Sequence, residues 1–151
     1  MSLADALANG HLQKHKTSAD EVRSLRELIQ RDIDDARIEQ LSDDRRFATA
    51  YNAALQLSKL ALACSGFRVS KGQSAHFASF EMAAIAVPTT QIQELTDYFD
   101  TCRRKRNHID YDGSQIVTRT ETEEMIKKVR EYREIVEGWI DQEHPDHSVS
   151  A

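Results

Sequence analysis

Ser42-Asp43-Asp44-Arg45-Arg46-Phe47-Ala48-Thr49-Ala50-Tyr51-Asn52-Ala53-Ala54-Leu55-Gln56-Leu57-Ser58-Lys59-Leu60-Ala61-Leu62-Ala63-Cys64-Ser65-Gly66 is the stretch on which the fold turns. Ser42 with two aspartates behind it has the chemistry of a helix start, where side-chain oxygens satisfy free amide groups. Phe47, Tyr51, Ala54, Ser58, Ala61 and Leu62 then recur at steps of three and four, the period of a helix face. Alanines at 48, 50, 53 and 63 flank that stripe. Small side chains at this density let a neighbouring helix approach closely. Gly66 is a plausible stop, because glycine accepts the left-handed conformation that ends many helices.

The same grammar extends in both directions. Upstream, Ser18 and Glu21 have capping-box spacing. Val22, Leu25, Ile29, Ile33, Ala36 and then Gln40 or Leu41 make the apolar stripe of an amphipathic helix of about six turns. Residues 1–16 carry Leu3, Leu7 and Leu12 around Asn9-Gly10 and read as a short helix or a loose arm. Downstream, Phe67 to Gln73 reads as a loop. Ser74 is a candidate cap for a helix with Phe77, Phe80, Ala84 and Val87 on one face, and Pro88 ends it. Thr90 with Gln93 is the next candidate box, opening a helix through Ile92, Leu95, Phe99 and Cys102 toward residue 110. Asp112-Gly113-Ser114 is a turn, and Gln115 to Thr118 is extended or a connector. Thr120 with Glu123 is the candidate box of the last helix, whose stripe is Met125, Val129, Tyr132, Val136 and Trp139.

No segment shows convincing period-two alternation, and no repeat of 20–50 residues is visible. The expectation is all-α: an antiparallel bundle of four long helices plus one or two short ones. It occupies residues 17–142, with an arm before it and a flexible tail over 143–151.

Composition narrows the function classes. The chain has 151 residues, of which 40% are hydrophobic and 30% charged. A chain of that size buries roughly 70% of its unfolded surface and needs no metal or disulfide to fold. With 20 basic and 25 acidic residues its net charge is -5, which excludes a generally basic nucleic-acid coat but leaves room for a local patch. Cys64 and Cys102 fall inside helical patterns without C-x-x-C spacing, as expected of packed thiols in a reducing cytoplasm. The longest apolar runs, Leu60 to Cys64 and Met82 to Val87, fall far short of the ~20 residues of a membrane span. The glycine-rich phosphate loops, the H-E-x-x-H zinc motif and the G-x-S-x-G elbow are absent. His11 and His15 are four apart, a metal-compatible spacing on a helix, but no third ligand accompanies them. His144 and His147 lie in the tail.

One segment breaks the acidic background: Thr101-Cys102-Arg103-Arg104-Lys105-Arg106-Asn107-His108-Ile109-Asp110-Tyr111-Asp112. Four consecutive cations at a helix end also suit the negative end of the helix dipole, so charge alone does not identify a ligand. Together with the helix from Arg46 to Leu57 and the all-helical layout, the segment Arg103 to Tyr111 resembles the HEPN superfamily, the higher eukaryote and prokaryote nucleotide-binding domains. The resemblance spans roughly residues 20–141. It implies a compact bundle that dimerises and binds RNA or a nucleotide. Many such proteins are ribonucleases of toxin–antitoxin or defence systems, some paired with a nucleotidyltransferase-type antitoxin.

The family's motif, Arg followed by four to six residues and then His, fits here in two registers. In one, Arg103 and His108 enclose four residues, with Arg104 where Asn, Asp or His is usual. In the other, Arg106 is followed by the expected Asn107, and Tyr111 replaces the His. At about 100° per residue, Arg106 falls on the apolar face of Ile92, Leu95, Phe99, Cys102 and Ile109. Arg103 lies at its margin and His108 on the opposite side. Arg106 is therefore the positioned arginine, burying its stem and directing its guanidinium into a groove.

The implied chemistry needs no metal or cofactor. A neutral His takes the 2′-hydroxyl proton and an Arg fork stabilises the phosphorane. Asn107 fixes the phosphate or imidazole, while Arg104 and Lys105 attract the backbone. Tyr111 is a poor base, with a reference pKa of about 10, so a site built on it predicts binding rather than cleavage. The competing expectation is a non-catalytic helical adaptor, its alanine-rich helix serving as a seam between copies.

Overall fold

The computed structural model describes residues 1–71, 75–111 and 116–149; for residues 75–77, 110 and 111 it describes the backbone alone. Among the described residues the order is α1 (Leu3–Ala8), β1 (Leu12–Lys14), α2 (Ala19–Ala36), α3 (Asp43–Cys64), β2 (Phe67–Val69), α4 (Ala75–Ala86), α5 (Thr90–Tyr111) and α6 (Arg119–Glu143), then a 3₁₀ turn at Pro145–His147. The fold is all-α: four long helices, two short ones and a two-stranded ribbon.

The opening stretch is α3, and it is the centre of the bundle. Its apolar residues run nearly all round the helix, so it needs neighbours on every side. It packs against α2, α4, α5 and α6. Ala50, Ala53, Ala54 and Ala61 are buried within the chain itself. The small residues thus serve contacts between the chain's own helices, the alternative to a seam between copies. The core above them is aromatic. Phe80 stacks on Phe99 at 5.2 Å, and Tyr132 meets Phe99 edge-on at 5.1 Å. Buried Tyr132 and Ser58 share a hydrogen bond of 2.7 Å.

Ser18 and Ser42 cap α2 and α3, accepting from the amides of Glu21 and Arg45. Helix α2 stops at Ala36, short of Gln40, and the Arg46 guanidinium donates to the free Ala36 carbonyl at 2.9 Å. Two caps differ from the sequence expectation. The Ile92 amide donates to Thr89, not Thr90, since α5 already begins at Thr90 and Thr89 is the last residue of the connector Val87-Pro88-Thr89. In α6 the full box is Thr118 with Glu121, not Thr120 with Glu123. Asp44 accepts the Val117 amide at 2.9 Å and anchors the entry to the helix, while Glu123 pairs with Arg119. Ser74, the candidate cap of α4, and the Asp112-Gly113-Ser114 turn lie outside the described residues.

The ribbon is the main departure. The arm is a short helix followed by a strand, and the expected loop after Gly66 begins with the strand's partner. Leu12 pairs with Val69, Gln13 with Arg68 and Lys14 with Phe67, antiparallel. Gly66 makes this possible: at φ +89° it turns the chain straight from α3 into β2. Ala6, Leu12, Leu62 and Met82 form a second small core beneath the ribbon. The tail is likewise partly folded, with His144 capping α6 and its ring 4.8 Å from that of Trp139.

Candidate functional site: the basic end of helix α5

The last three turns of α5 are sorted by helical geometry. Phe99 and Cys102 are buried and Ile109 is packed against the core. These residues fix which side of the helix faces α3. Arg106 shares their side. It is half-buried, and its guanidinium carbon lies 5.9 Å from the centroid of the buried Tyr51 ring of α3. A planar cation above an aromatic face is held electrostatically by the ring quadrupole. Tyr51 itself is pushed up to about 12, chiefly by burial, with Arg103 and Arg106 opposing. It is a neutral phenol at any ordinary pH.

The other cations differ in how they are held. Arg103 pairs with Asp100 one turn back at 3.2 Å. Lys105 reaches across to Glu121 in the first turn of α6. Its ammonium, with the Thr118 amide, holds the Glu121 carboxyl below the usual carboxylate range. Arg104, Asn107 and His108 are exposed. Steps of three and four place these three on one outward face of α5. Arg106 and His108 therefore diverge: the first points into the bundle, the second toward solvent. The Tyr111 side chain lies outside the described residues. Cys102 is buried, and burial pushes its thiol up to about 11, so it behaves as a small apolar group.

Sequence reasoning missed three participants. Tyr51 stands in the core stripe and in the Arg46–Leu57 helix of the sequence, with no sign there that it is the platform for Arg106. Asp100 was legible as a carboxylate one turn before Arg103. Glu121 was not, because its place depends on where α6 begins.

Among the described residues, no group of three or more His, Cys, Asp or Glu side chains is arranged to hold a metal. His15 instead bonds both oxygens of Glu21, at 2.7 and 3.0 Å. The strand between His11 and His15 removes the helical spacing that would have aligned them. No helix among the described residues is long and apolar enough to cross a membrane. Comparison with known proteins finds no matching family, no matching curated protein and no matching solved structure.

Proposed function

We propose that the chain is a HEPN-like RNA- or nucleotide-binding protein that meets phosphates with the basic end of α5. The observation that supports this is the sorting of the cations. In a chain of net charge -5, four consecutive bases stand within the last three turns of one helix. One of them, Arg106, rests on an aromatic ring, and another, Arg104, shares an exposed face with Asn107 and His108. Exposed Arg and Asn supply phosphate and base-edge contacts, and an imidazole stacks or hydrogen-bonds. Binding is the primary reading because Arg106 and His108 face different ways within one chain.

The second reading is metal-independent RNA cleavage, of the toxin or defence type. Arg104 and His108, one turn apart and both exposed, pair a cation with a base on one surface. A homodimer would bring the two α5 ends to a common cleft, where a partner copy supplies what one chain lacks. A nucleotidyltransferase-type antitoxin is the partner that the family resemblance suggests.

The test uses fluorescence anisotropy of a labelled single-stranded RNA across a salt series. Binding should weaken with salt, and Arg104→Ala should lower the salt slope by about one. A salt-independent signal, or one untouched by both Arg104→Ala and Arg106→Ala, rejects the proposal. RNA integrity in EDTA separates the two readings: cleavage that His108→Ala abolishes establishes the nuclease, and intact RNA leaves binding alone. Light scattering at the same concentrations reads the dimer directly.

A further inference from the structure

A concave surface lies where the β1–β2 ribbon, the start of α2 and the end of α3 meet. Its volume is about 470 Å³, within the range of small-molecule sites. Leu25, Leu62, Phe67 and Val69 line it. Leu25, Phe67 and Val69 are only half-buried, so an apolar wall remains open to water. Covering that wall with an apolar ligand removes it from water.

The rim is cationic. Lys59 is the single charged residue between Arg46 and Arg68. It is exposed at the cavity and makes no ion pair among the described residues. Lys71 stands at the same rim, also exposed and also without an ion pair among the described residues. The carboxylate that lines the cavity, Glu21, is already engaged. Its Oε1 accepts from the Thr17 hydroxyl at 2.6 Å, and the His15 ring bonds both of its oxygens. Three cations, Lys59, Lys71 and Arg68, whose Nε donates to Gln13 at 3.1 Å, thus line the apolar wall, and among the described residues the carboxylate that lines it is already engaged.

We propose that this cavity binds a small anionic amphiphile, its carboxylate on Lys59 and Lys71 and its aliphatic body against Leu25, Leu62, Phe67 and Val69. Apolar burial supplies the affinity, and the two ammonium groups orient the head. The site shares no side chain with the basic end of α5, so it stands or falls independently of RNA binding.

The test is a titration of the full chain with decanoate below its micellar range, followed by amide chemical shifts. Saturable shifts at Leu25, Lys59 and Val69 are expected. Lys59→Met keeps the aliphatic stem and removes the charge, and should weaken decanoate about tenfold while leaving decanol unchanged. Lys59→Arg should retain decanoate. Lys71→Met, at an exposed position, repeats the test should Lys59→Met lose the wild-type spectrum. Decyltrimethylammonium and adenosine monophosphate complete the set. Equal binding of the cationic amphiphile, binding of the nucleotide but not of decanoate, or no saturable shift at the cavity overturns the proposal.

Discussion

Single side chains set the character of this molecule at three places. Buried Tyr132 bonds Ser58, and Tyr132→Phe removes one partner of a dry hydrogen bond. The loss should be about 1 kcal/mol in urea unfolding, because Ser58 keeps its longer contact to the Ala54 carbonyl. Cys102 is a core residue. With its thiol pushed up to about 11 by burial, alkylation at pH 8 should proceed only as fast as the protein opens. A rapid, denaturant-independent reaction would contradict this. Glu121 carries the clearest pH signature at the basic end of α5. Its folded pKa lies below the ordinary value of 4.5, so its contribution to stability is present above that value. The contribution is lost as pH falls through the lower folded pKa. Lys105→Ala should bring the carboxyl's titration midpoint back toward the ordinary value, as followed by side-chain NMR.

Elements were legible wherever a cap and a stripe agreed. Ser18 and Ser42 open α2 and α3 as their sequences imply, and Gly66 and Pro88 stop α3 and α4. The ribbon was not legible. A three-residue strand is too short to show alternation, and its partner lies more than fifty residues away. The cap of α6 was misplaced by two residues because Thr118-x-x-Glu121 and Thr120-x-x-Glu123 are equivalent in sequence. Contacts between distant segments, Asp44 with the Val117 amide and the Thr122 hydroxyl with the Asp43 carbonyl, favour the first. Thr118→Ala should therefore cost ~1 kcal/mol, whereas Thr120→Ala should be near neutral, by thermal unfolding of both. Gly66→Ala places a side chain at φ +89° and should cost about 1 kcal/mol through backbone strain, since the nearest atom is a carbonyl 4.0 Å away.

At the scale of the whole molecule, the direction of Arg106 followed from sequence because Phe99, Cys102 and Ile109 define the inward face of α5. Its seat on Tyr51 did not, since that contact depends on how α3 crosses α5. The tie of Lys105 on α5 to Glu121 on α6 is hidden for the same reason. It requires the start of α6 to be known to within a residue.

Because α3 leans on every other long helix, the chain has no autonomous half. A polypeptide ending after α3, or one beginning at α4, would carry a greasy flank with nothing to shield it. The two pieces made together should rescue one another's solubility. Made apart, each should be cleared or precipitate, since either cut strips α3 of part of its cover.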